Sequence, residues 1–190
     1  MLCKLQFRFF SPTKILRTAI LLPWLAAMFS MPVNADLIEG FPLDPELVHQ
    51  LNGDGNKAKT AAIKQLTLLA TPEAVQVLTA LAEERLMIAG DSGELLLRVE
   101  GEKAFDATTG KEVSPVPEDM DQVYPNNRVR VVLNTSMSIL KLFNPDREVR
   151  LEAAKQIEDT GGADEMFLPI MDRVLAKEGD SEIKEIITLV

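Results

Sequence analysis

The chain has 190 residues and carries 29 aspartates and glutamates against 20 lysines and arginines. This acidity excludes nucleic acid as an expected partner, because binding it requires a cationic face that displaces counterions. Cys3 and His49 are the only cysteine and histidine, too few for the three or four nitrogen and sulfur ligands of an ordinary zinc site. We therefore predict no metal and no cofactor.

The first 35 residues have the three-part layout of a secretory signal. They contain four cations and no acid, followed by an apolar run over 19–31 and a small residue, Ala35. The run of about 13 residues is shorter than the roughly 20 that a membrane-spanning helix needs. We predict a signal peptide over 1–35 and a periplasmic domain over 36–190, with an uncleaved inner-membrane anchor as the alternative.

The predicted domain is acidic and has no cysteine. All 29 acids but only 16 of the 20 cations lie in 36–190, which gives this part a net charge of −13. Without cysteine it can form no disulfide, so its stability must come from packing.

Helical periodicity dominates the start of the domain. A short helix is predicted over 45–51, where His49 should be a surface residue. A longer helix is predicted from 54–56 to Leu69, because its apolar residues recur every three or four positions. Thr71 followed by Pro72 is typical of an N-cap and first helical residue, and predicts a third helix to about Arg85.

The periodicity changes over 86–113. Two apolar runs, 86–89 and 95–99, flank Gly90-Asp91-Ser92-Gly93 and predict a β-hairpin. A third extended piece is expected at 104–106. We interpret the proline-rich and acidic stretch 114–125 as a connecting loop.

Helical patterns return at Asn126 and continue to the last residue. We predict a helix over 126–143, a helix pair over 145–177 and a last helix from about 181. A shift of 91 residues places Lys64-Gln65-Leu66 on Lys155-Gln156-Ile157 and Ala62 on Ala153. Similar helix pairs are expected to stack, because a single pair cannot bury both of its faces alone.

The repeat and the Val-Arg-x-x-Ala-Ala pattern at Val149–Ala154 resemble α-solenoids of the HEAT type. We therefore predict a mostly α fold with HEAT-like helical repeat pairs and a small β-hairpin insert near 86–113. Ala62 and Ala153 should be buried at helix crossings. The alternative is two unrelated amphipathic helix pairs.

No catalytic arrangement is recognisable. There is no phosphate-binding glycine loop and no Gly-x-Ser-x-Gly motif. The paired carboxylates, such as Glu83-Glu84 and Asp119 with Asp121, are better explained by solvation than by raised pKa values. We predict a protein that is not an enzyme and has no catalytic residue.

Three runs of residues carry a family resemblance. They are Phe105-Asp106-Ala107-Thr108-Thr109-Gly110, then Asn126-Asn127-Arg128-Val129-Arg130, then Leu142–Asp146 leading into Val149–Ala154. In this order, behind a signal segment and a helix pair, they resemble the N-terminal extracytoplasmic region of the urea ABC transporter permease subunit, of the branched-chain amino-acid type permease family. The resemblance covers essentially the whole chain.

The resemblance implies a non-catalytic accessory domain whose partner is a membrane permease core or a solute-binding protein. Nothing after Met31 is apolar over even ten residues, so the transport pathway of that family has no counterpart here. We interpret the chain as a truncated or split permease, or as a separately encoded accessory domain. The alternative is a free periplasmic HEAT-like protein-interaction module unrelated to transport.

Asn126, Asn127, Arg128 and Arg130 are the candidate partner contacts. The structural interpretation of the same residues is an N-cap after Pro125, with the arginines paired to acids of the hairpin.

Overall fold

The computed structural model describes residues 42–53, 55–89, 95–100 and 102–190, and the predicted signal over 1–35 lies outside them. These residues form seven α-helices, five strands and two 3-10 turns. The helices are α1 Pro45–His49, α2 Asn56–Leu69, α3 Pro72–Ala82, α4 Asn127–Lys141, α5 Arg147–Asp159, α6 Leu168–Lys177 and α7 Ser181–Leu189. The strands are β1 Met87–Ala89, β2 Leu95–Glu100, β3 Lys103–Asp106, β4 Glu112–Val113 and β5 Met120–Gln122, and the 3-10 turns are Gln50–Asn52 and Glu165–Phe167.

The first helices begin where the sequence predicts. The Thr71 side chain accepts a hydrogen bond from the Ala74 N–H at 3.3 Å, and Pro72 is the first residue of α3. The predicted helix over 45–51 is α1 followed by a 3-10 turn, and His49 is exposed as expected. The helix α3 ends at Ala82, before the predicted Arg85, because Glu84 adopts a left-handed φ of 58°.

The β insert is larger than a hairpin. The predicted pair β1 and β2 is antiparallel, and the full sheet has the order β4-β3-β2-β1-β5. Strand β5 pairs with β1, with Met87 opposite Gln122 and Ala89 opposite Met120. The interpretation of 114–125 as a connecting loop is therefore wrong at 120–122, and the insert extends past the predicted limit of 113.

The strand β5 was hidden in the sequence because it is short and polar. Its middle residue, Asp121, is exposed, and only its neighbours are half-buried. Such an edge strand forms because β1 offers backbone donors and acceptors that need partners. The Val123 N–H extends the pairing by donating to the Leu86 carbonyl at 2.9 Å.

The helix α4 lies at the centre of the helical part. It packs against α2, α3 and α5. Its buried face includes Val129, Leu133 and Ile139, each 1 % exposed or less. The helix α5 packs against α4 and α7, and α6 packs against α7.

Positions matched by the sequence repeat share the same burial. Ala62 and Ala153 are 0 % and 1 % exposed, and both lie on helices that pack against α4. Leu66 and Ile157, which the same shift matches, are also buried. After two inserted residues the next helices match as well, and Val77 with Ile170 and Leu78 with Met171 are buried pairs. The chain is therefore mostly α, with HEAT-like helical repeat pairs on either side of a small β insert.

Two polar contacts join the two halves of the repeat. The Lys64 ammonium of α2 lies 2.6 Å from an Asp164 carboxylate oxygen, which holds the pKa of Asp164 below its usual range. The Arg173 side chain of α6 donates to the Leu68 carbonyl at 3.1 Å, and its guanidinium lies 5.8 Å from the centre of the Phe143 ring. The end of α2 is thereby fixed against α6.

The helices α5 and α7 begin in the same way and are tied together. Asp146 and Asp180 are their N-caps, and each carboxylate accepts from the N–H two residues on, at 2.9 and 3.0 Å. Arg147 donates to Asp180 at 2.7 Å and to Glu182 at 2.7 Å. The Arg147 hydrogen bond is the main reason that the pKa of Asp180 is lowered.

A buried ion pair fixes the loop before α7. Arg150 donates to both carboxylate oxygens of Glu178, at 2.8 and 3.2 Å, and to the carbonyls of Asn144 and Pro145, both at 2.9 Å. The Glu178 side chain is only 2 % exposed and also accepts from the backbone N–H groups of residues 179 and 180. Every polar atom of this carboxylate therefore has a partner, as burial of a charge requires.

Overpacking at a matched repeat position should destabilise the fold. Replacing Ala153 by Leu adds volume where α5 packs on its neighbours, and should lower the free energy of unfolding by about 1–3 kcal/mol. Ala176→Leu on the exposed face of α6 is the matched control and should change it by less than about 0.5 kcal/mol. Urea unfolding followed by circular dichroism measures both, and equal stability of the two variants would contradict the helix phase described here.

The Glu178 carboxylate should make stability depend on pH. The Arg150 hydrogen bond, followed by backbone N–H groups, lowers the pKa of Glu178 below its ordinary 4.5. A carboxylate with a lowered pKa stabilises the fold above the ordinary value, and this contribution is lost as the pH falls through the folded-state pKa. Glu178→Gln should therefore melt below the parent at pH 7, and the difference in melting temperature should shrink as the pH falls below 4.5.

The control for this titration is Glu152→Gln, on the exposed face of α5. The difference in melting temperature between this variant and the parent should stay small at every pH. If the difference in melting temperature between Glu178→Gln and the parent does not narrow on acidification, ionisation of the Arg150–Glu178 pair does not contribute to stability.

Candidate partner-contact surface

The four residues predicted to contact a partner lie at the start of α4, but they divide into two groups. Asn126 and Arg130 are engaged within the domain. Asn127 and Arg128 are exposed and make no side-chain hydrogen bond or ion pair with another described residue.

Asn126 is the N-cap of α4. Its side-chain oxygen accepts a hydrogen bond from the Val129 N–H at 3.1 Å, and its amide nitrogen donates to the Asn56 side-chain oxygen at 2.5 Å. One side chain thus satisfies a free helix donor and joins the start of α4 to the start of α2. The N-cap interpretation is confirmed.

Arg130 holds the connection between α3 and β1. Its guanidinium donates to a Glu84 carboxylate oxygen at 2.6 Å, and the Gln122 side chain donates to the Glu84 carbonyl. The acid paired with Arg130 therefore lies before the hairpin and not within it. For Arg128, no described acid lies within ion-pair distance, so the predicted pairing of both arginines with hairpin acids is wrong among the described residues.

Two further large side chains near the start of α4 are exposed, Tyr124 and Val131. Tyr124 is 61 % exposed and Val131 is 63 % exposed, and Leu168 and Leu189 are similarly exposed elsewhere in the described part of the chain. On a helix, residues three and four apart are neighbours, so Val131 lies beside both Asn127 and Arg128. Tyr124 lies just before the buried Pro125 that leads into the helix.

Sequence periodicity did not single out Tyr124 and Val131. In the sequence Val131 is one more apolar residue of an amphipathic helix, although it lies on the exposed side of α4. Its position on the helix could have indicated its exposure. Val131 lies three residues after Arg128 and three before Asn134, so it shares a helix face with these two polar residues, which are both exposed.

The residues that carry the family resemblance have structural tasks of their own. In the first run, the Asp106 carboxylate accepts from the N–H groups of Thr108 and Thr109 at 2.9 and 2.6 Å and closes the turn after β3. The Thr108 carbonyl accepts from the Leu43 N–H at 2.9 Å, which joins the insert to the lead-in of α1. The second run begins α4, and the third contains the Asp146 cap and Arg150.

The described surface also has open depressions without recognisable chemistry. One groove of about 540 Å³ lies between the lead-in of α1 and the end of α2 and is mostly apolar. Another depression, of about 330 Å³, borders Arg150 and Glu178, whose polar atoms are already paired. The described residues contain no group of three or more histidine, cysteine, aspartate or glutamate side chains placed to hold a metal ion.

Comparison of the chain with protein-family models, with curated proteins and with solved structures finds no match. The family resemblance therefore rests on the residue runs alone. None of the described helices has the length and apolar character that a membrane crossing requires.

The two adjacent asparagines at the start of α4 should respond differently to substitution. Asn126→Ala removes the cap and the bond to Asn56, and should lower the free energy of unfolding by about 1 kcal/mol. Asn127→Ala changes an exposed amide without a described partner and should leave stability within about 0.5 kcal/mol of the parent. Urea unfolding of the two variants side by side provides the check, and a larger loss at Asn127 would contradict the assignment of the cap.

Proposed function

We propose that this protein is an extracytoplasmic, non-catalytic accessory domain of a urea-type ABC uptake transporter permease, without the membrane-spanning pathway. The observation that carries the proposal is the order of the three residue runs along the chain. Each run lies where a local structure depends on it: the turn after β3, the start of α4 and the start of α5.

The helical repeat architecture of the fold supports this proposal. Helical repeat pairs present extended surfaces to other proteins. A domain of this kind beside a transporter can position a solute-binding protein or brace the permease core without taking part in transport chemistry. The predicted partners are therefore those two proteins, and urea itself has no site assigned in this domain.

The proposed location is the periplasm, reached through the signal over 1–35. Its support is the cationic start and apolar run of the sequence. Sequencing the amino terminus of the protein purified from the envelope checks the proposed cleavage. A terminus at Asp36 supports it, and an intact Met1 in the membrane fraction favours the anchored alternative.

An uptake assay tests the function directly. An in-frame deletion of the gene in its host should reduce uptake of radiolabelled urea at low external concentration, and a plasmid copy should restore it. Uptake of leucine by the same cells is the control for a general effect of the deletion on uptake. Urea uptake that is unchanged in the deletion strain would contradict the proposal.

A second candidate is a free periplasmic interaction module unrelated to transport. The exposed Tyr124, Arg128 and Val131 favour it as much as the first candidate, since they suit protein contact of any kind. Normal urea uptake in the deletion strain, together with a defined envelope partner, would favour this alternative.

A further inference from the structure

We draw no further inference here: the strongest candidate, the mostly apolar groove between the lead-in of α1 and the end of α2, is an unpartnered apolar face, and nothing in the structure shows what covers it.

Discussion

Burial of one face of α4 against three other helices is the constraint on which the rest of the fold depends. Its neighbours α2, α3 and α5 come from both sides of the β insert, so the two halves of the repeat pack around α4. Small residues make this approach possible, since Ala62 and Ala153 occupy matched positions on α2 and α5 and are fully buried. Ser136, on α4 itself, is also fully buried. A small side chain on a buried helix face lets neighbouring helices approach closely.

Polar contacts then determine the relative positions of helices that apolar packing alone does not specify. Lys64 with Asp164 and Arg173 with the Leu68 carbonyl set the position of α6 relative to α2. Arg150 and Glu178 set the loop that leads to α7, and Arg147 joins the caps of successive helices. Of these, the Arg150–Glu178 pair is the most buried. A buried ion pair stabilises a fold only when the other polar atoms of both side chains are also hydrogen-bonded. The exposed pairs contribute less because water screens them.

At the start of α4, one short motif contributes some side chains to the fold and leaves others exposed. In Asn126-Asn127-Arg128-Val129-Arg130, the first, fourth and fifth residues are engaged within the domain: a cap, a core side chain and an ion pair. The second and third face solvent, because a helix turns its successive side chains by about 100°. Substitution of Asn127 or Arg128 would therefore leave the described contacts that stabilise the helix in place.

The sequence by itself determined the helices, their order and the matched burial of the two repeat halves, because apolar periodicity and helix caps are local properties of the chain. It also determined the cap at Asn126 and the hairpin of β1 and β2. Only the tertiary structure decided that 120–122 is a strand, since a short polar segment pairs only when a free strand edge is brought to it. The same holds for the candidate surface. Whether Arg128 or Arg130 is paired depends on where Glu84 lies in space, and that position is set by a left-handed residue after α3 and by the packing of the sheet beside α4.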